Sequence, residues 1–160
     1  LNTSILRPKW NKALKEISFK LYRNEILGIV GSSGSGKSTL CRALVGLLPV
    51  RGGEIKIFGS NQEFNKKKSN NLKNIQIIFQ DPFSSLNPKM KIKNILKEIF
   101  LIQKISNNYQ IKNEIKLILK NLNLPSDPEF LNSYPNQLSG GQLQRISIAR
   151  SLLLLSLIHI

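Results

Sequence analysis

The stretch that most constrains this chain is residues 31–39, GSSGSGKST. It fits the pattern G-x-x-x-x-G-K-[ST] through Gly31, Gly36, Lys37 and Ser38. An apolar run, residues 25–30 (EILGIV), precedes it, and a helical one, residues 38–48 (STLCRALVGLL), follows. Strand, glycine-rich loop and helix in that order make a cradle for phosphate. Gly31, Gly34 and Gly36 let the backbone turn sharply and bring N–H groups close to an anion, with Ser32, Ser33 and Ser35 between them. The helix start points its positive dipole end at the same anion. Lys37 offers a point charge to the β/γ-phosphates, and the Ser38 hydroxyl is the hard oxygen donor that Mg²⁺ takes. A glycine- and serine-rich turn with no ligand is the alternative, and it leaves the flanking strand and helix unexplained.

A chain of 160 residues with 41% hydrophobic content matches one ordinary globular domain, so one folded unit is expected. No apolar run approaches the roughly eighteen residues of a membrane span, and no signal-peptide core opens the chain, which reads as cytosolic. The single cysteine, Cys41, has no partner for an internal disulfide and is expected as a small buried hydrophobe in the helix after the loop. The net charge of +15 raises the question of nucleic acid. Lysine (18), asparagine (17) and isoleucine (21) together make 56 of the 160 residues, spread along the whole chain. An AT-rich coding sequence produces that mixture without any anionic partner. The one dense basic cluster, Lys66 to Lys68, sits in the polar stretch 60–74, which reads as a solvated loop, and no aromatic residues interleave as in single-strand platforms. A nucleic-acid partner is therefore not expected.

In chain order, residues 13–22 (ALKEISFKLY) alternate as a half-buried strand, with Leu14, Ile17, Phe19 and Leu21 facing inward. Arg23-Asn24 turns the chain into the strand at 25–30. The helix from Ser38 runs to Leu48, where Pro49 stops it, and residues 51–53 turn into a strand at 54–58 (EIKIF). Residues 75–79 (IQIIF) form an apolar run suited to a strand covered on both faces. From Lys91 to Ile105, apolar residues at Ile92, Ile95, Leu96, Ile99, Ile102 and Ile105 keep a helical period. Ile111, Ile115, Ile118, Leu119 and Leu122 repeat it, and a loop covers residues 125–135. A third helix should begin at Ser139, whose hydroxyl caps an amphipathic run through Leu143, Ile146, Ala149 and Leu153.

GSSGSGKST, then Gln80 after an apolar strand, then Leu138-Ser139-Gly140-Gly141-Gln142 followed by Gln144-Arg145 and Ile148-Ala149-Arg150, resembles the nucleotide-binding domain of ATP-binding cassette (ABC) proteins. The resemblance covers about residues 13 to 154. Residues 80–88 (QDPFSSLNP) and 134–142 (YPNQLSGGQ) are similar to the ATPase subunits of oligopeptide, dipeptide and nickel importers. It implies an α/β fold: a P-loop NTPase (RecA-like) core with an antiparallel β part and an inserted helical subdomain. Residues 1–82 would be the first part of the core, 83–142 the helical signature subdomain, and 143–154 the start of the return to the core.

The same resemblance assigns roles and partners. Residues Gly31 to Thr39 would bind ATP, with Thr39 near the α-phosphate, and Ser38 and Gln80 would serve Mg²⁺. Gln80 would also position the attacking water. Leu138, Ser139, Gly140, Gly141 and Gln142 would meet the γ-phosphate held by a second ABC ATPase subunit in a head-to-tail dimer. An aromatic residue upstream of the loop stacks on adenine in this family; Trp10 is the candidate, a surface tryptophan the alternative. Transmembrane permease subunits, and through them an extracytoplasmic substrate-binding protein, are the further partners implied. The implied place is the cytoplasmic face of the membrane, and the implied work is ATP-driven uptake of peptides or nickel. A soluble ABC ATPase acting on nucleic acid or ribosomes, and a non-catalytic nucleotide-binding module, are the rivals.

Two departures accompany the match. In the family, an apolar strand with an Asp and a catalytic Glu follows the signature helix, and a switch histidine comes later. No acidic residue follows Glu129 here, and His159, the sole histidine, is not that switch. The chain opens at Leu1 without methionine, so a fragment is expected, lacking the C-terminal half of the core and unable to hydrolyse ATP. Residues 155–160 (LSLIHI) match, codon for codon, a translated transposase-end sequencing adapter, and are expected to be non-native.

Overall fold

The computed structural model describes residues 13–61 and 75–158. Contacts gather them into two compact units, residues 1–67 and 68–160, where length alone leads to an expectation of one.

In the first unit, helix α1 spans Lys37–Leu44 and starts at Gly36, whose left-handed φ of 96° turns the loop into the helix. The helix closes four residues earlier than the sequence suggests, and Pro49 is not what stops it. Gly46, at φ 73°, takes the left-handed position past the end. Its N–H donates to Ala43 O at 3.0 Å and Leu47 N–H donates to Arg42 O at 2.8 Å, the paired bonds of a Schellman motif. Cys41, expected inside, is exposed. The only ladder among the described residues is a hairpin in which β1 (Lys56–Ile57) pairs antiparallel with β2 (Ser60–Asn61). Phe58 and Gly59, at φ 50° and 77°, make the two-residue turn that matches strand twist. The expected strand at 54–58 is thus reduced to its middle, and its partner lies at the start of the stretch read as a loop.

The strands expected at 13–22 and 25–30 are corrected: neither joins a ladder, and Glu16 in the first takes a left-handed φ of 49°; residues 75–79 in the second unit join no ladder either. Ile26 and Val30 are 97% and 93% exposed, and Ile17, Phe19 and Leu21 also face solvent. A strand is secured by neighbours distant in sequence, and none of these segments meets one among the described residues.

The second unit is a helical bundle with one apolar core. Helices α2 (Ile92–Ile102), α3 (Asn108–Asn121), α4 (Pro128–Asn132) and α5 (Gly140–Ile158) surround Phe100, Ile92, Leu96, Leu119, Leu143, Ile146 and Leu153, all under 2% exposed. The inward faces are largely those the 3.6-residue period marks, with Phe100 added and with departures at Ile102, Ile105 and Leu122, the last being the C-cap of α3. Ile102 is exposed, and Ile105 is not helical: Lys104 adopts φ 59°, and Ile105 N–H folds back onto Phe100 O at 2.9 Å. Ile105 therefore reaches the core as the residue after a helix end. Asn123, at φ 51°, ends α3 the same way and sends Leu124 inward. The 125–135 loop contains α4, which the sequence signals through Asp127 as cap and Pro128 in the first turn; Phe130 N–H donates to Asp127 Oδ1 at 2.9 Å. Helix α5 passes residues 142 and 143 without a break. No helix of the described residues is long and apolar enough to cross a membrane.

Candidate nucleotide loop and signature helix

The loop at residues 31–36 is built so that side chains would obstruct it. A Cβ at Gly31 would lie 2.8 Å from Ser35 Oγ. At Gly36 it would lie 3.0 Å from Leu14 Cδ2 and 3.2 Å from Ala13 O, on a backbone that already favours glycine. Lys37 folds back over the loop, and its Nζ donates to Gly31 O and Ser32 O, both at 2.7 Å. The ammonium is thereby held against the loop backbone. Gly36 gives α1 no side-chain cap, so the first N–H groups of the helix stay available to an anion. Ser38 and Thr39 lie in that first turn. Trp10 and His159 lie outside the described residues.

The start of α5 is built from two reciprocal devices. Ser139 Oγ accepts from Gln142 N–H at 3.3 Å, and Gln142 Oε1 accepts from Ser139 N–H at 2.9 Å, which is a capping box. Leu138 before the cap and Leu143 in the next turn belong to the same apolar core, the positions of a hydrophobic staple. Leu, Ser and Gln of the signature thus have structural duties. Gly140 and Gly141 have none: neither has a positive φ, and a Cβ on either would meet nothing within 4 Å. Glycine weakens a helix by up to about 1 kcal/mol per position relative to alanine, and nothing among the described residues requires it at either position. Gln142→Ala should lower the stability of this unit by about 0.5–1 kcal/mol, read as an earlier thermal transition in circular dichroism.

Arg145 and Arg150, quoted in the sequence only as part of a motif, prove to be the main polar ties of the bundle. Arg145 Nη1 donates to Leu122 O at 3.3 Å and Asn123 O at 3.1 Å, placing a cation on the end of α3. Arg150 Nη1 donates to Ser85 O at 3.3 Å and its Nη2 to Glu98 Oε2 at 3.0 Å. Ser85 belongs to a short 3₁₀ turn, Phe83–Ser85, close behind Gln80, and Gln80 itself is exposed. Only the periodicity of α2 and α5 hinted at these pairs, since bonds spanning 52 to 65 residues leave no local trace.

An anion cradle at one helix start and a second helix start with a bare, capped backbone are features of nucleotide-binding cassettes, and the ABC transporter family pattern matches residues 14–160. The chain belongs to the ABC transporter family, whose ATP-binding domain has the P-loop NTPase fold. Among curated relatives it is similar to the oligopeptide transport ATP-binding protein OppF of Haemophilus influenzae, 42% identical over 151 residues, covering 92% of this chain and 45% of that protein. AppF of Bacillus subtilis, also an oligopeptide transport ATP-binding protein, is 41% identical over 146 residues, 89% of this chain and 44% of that one. The dipeptide transport ATP-binding protein DppF of Haemophilus influenzae is 39% identical over 150 residues, 92% and 45% of the two chains. The chain thus spans a little under half the length of these relatives.

Proposed function

We propose that these residues belong to an ATPase subunit of an importer, coupling ATP binding and hydrolysis to uptake of peptides, or of nickel, through a membrane permease. The relatives named for oligopeptide and dipeptide transport support the substrate class. The observation that carries the reading is the start of α5, where Gly140 and Gly141 leave backbone open at a helix end that Ser139 and Gln142 hold in shape. Such an end, with its N–H groups and dipole directed outward, suits a phosphate brought by another molecule.

In this reading residues 31–39 hold the ATP phosphates and Lys37 Nζ exchanges its loop carbonyls for phosphate oxygens. The Ser38 hydroxyl is a donor of the class Mg²⁺ accepts, and Mg²⁺ when bound would neutralise phosphate charge. Gln80, exposed before a rigid turn, orients water. The partner copy supplies the ATP that the α5 start closes upon, so that two subunits sandwich the nucleotide head to tail. The permease and an extracytoplasmic binding protein complete the importer, with the subunit on the cytoplasmic face. A RecA-like core, completed by strands pairing with the apolar segments 13–22, 25–30 and 75–79, accounts for their exposed isoleucines and for Val30.

Ser139→Arg in the full-length gene product tests the sandwich. ATP affinity of the monomer should change by less than about twofold, because in this arrangement Ser139 serves the nucleotide held by the partner subunit. ATP-dependent dimerisation, followed by size-exclusion chromatography with light scattering, should disappear. A variant that still dimerises on ATP and hydrolyses it at the normal rate would refute the arrangement.

A further inference from the structure

We propose that Arg150, on the signature helix, is a positioning residue for Gln80: it clamps the turn that follows Gln80 to α5 and α2, so that this turn and the signature move as one body. The inference rests on the ATPase reading above for Gln80's task, but the clamp itself is a matter of geometry.

The turn is internally knotted. Asp81 Oδ1 accepts from Phe83 N–H at 3.0 Å, Ser84 Oγ donates to Asp81 O at 3.0 Å, and Ser85 N–H donates to Pro82 O at 3.2 Å. Fixing Ser85 therefore fixes Asp81, the residue bonded to Gln80. Ser85 is fixed three ways. Its carbonyl accepts from Arg150 Nη1 at 3.3 Å, its hydroxyl meets Ser147 Oγ at 3.1 Å, and the next residue, Leu86, is 4% exposed in the core.

Each of the two serine hydroxyls also has a carbonyl acceptor within reach. Ser85 Oγ also lies 2.8 Å from Pro82 O, and Ser147 Oγ lies 3.2 Å from Leu143 O. Each hydroxyl has one proton, so two of these three contacts are satisfied at once. Between the two serines either hydroxyl can be the donor, since Leu143 O keeps a second lone pair beside its bond in the helix ladder. In either case the two hydroxyls tie the turn to α5.

Arg150 meets its two partners with two different nitrogens. Its planar fork reaches Ser85 O with one nitrogen and Glu98 on α2 with the other, the pair at 3.0 Å. The Glu98 carboxylate holds the guanidinium in the orientation that meets Ser85. A lysine has its donors on one nitrogen and does not reproduce the spacing of two separate nitrogens held in one rigid plane.

Hydrogen exchange on the full-length gene product reads the clamp directly. In Arg150→Met, exchange at residues 81–86 should speed by about tenfold, on the scale of one charge-assisted hydrogen bond, while α3 amides keep their rates. Ser147→Ala removes only the hydroxyl contact from a helix that tolerates alanine, and should give a smaller rise, about threefold, over the same residues. That second variant decides the matter should Arg150→Met not fold. For ATP hydrolysis, Arg150→Met should lower kcat by about tenfold with KM for ATP within about twofold, and Arg150→Lys should not restore it. Unchanged exchange at 81–86 in both variants overturns the proposal, as does a normal kcat beside a loosened turn. A wild-type protein that hydrolyses no ATP would overturn the ATPase reading instead, and the exchange rates would still decide the clamp.

Discussion

Lys37→Ala in the full-length gene product should weaken ATP binding by about 3–5 kcal/mol, the worth of roughly two charge-assisted hydrogen bonds. That corresponds to a loss of about 150- to 5,000-fold in affinity. The expectation rests on where the ammonium sits: Nζ lies 2.7 Å from both Gly31 O and Ser32 O, already at the loop and needing only to change partners. Lys37→Arg keeps the charge but brings a planar fork to a place shaped for a compact ammonium, and should recover only part of the loss. Isothermal titration calorimetry measures both. Unchanged affinity in the alanine variant would remove the phosphate loop from the account.

Phe100→Ala should destabilise the helical unit by about 3–5 kcal/mol, since it removes a large ring from a core that cannot fully collapse around the space. Phe100 is 0% exposed on α2 and packs among the fully buried side chains contributed by α3 and α5. A loss of this size is a large fraction of what an ordinary domain has in total. Tyr109→Ala, at a site 76% exposed, should move stability by no more than about 0.5 kcal/mol and serves as the control. Thermal unfolding by circular dichroism separates the two. Equal effects would mean that the α2–α3–α5 core is not what holds this unit together.

What was legible in advance was local. The phosphate-loop pattern, the cap at Ser139 and the inward faces of α2, α3 and α5 each depend on residues within a turn or two of one another, and spacing records such relations directly. Even α4 is marked in the sequence by Asp127-Pro128, inside a stretch otherwise rich in turn residues. The helix ends were harder. Gly46 could have been recognised as the stop for α1, but Lys104 and Asn123 take left-handed conformations on behalf of Ile105 and Leu124, which the core recruits.

Apolar alternation at 13–22 and apolar runs at 25–30 and 75–79 mark sequences able to be strands. They carry no record of which distant segment would pair with them, and among the described residues only Lys56–Ile57 and Ser60–Asn61 form a ladder. The sequence by itself determined the phosphate-loop motif, the capped signature helix and the periodic core of the helical unit. The tertiary structure alone decided that Arg150 would join Ser85 to Glu98 and Arg145 would close the end of α3. A guanidinium has reach and donors enough for many carbonyls, and only packing the apolar faces of α2, α3 and α5 together determines which ones come within 3.3 Å.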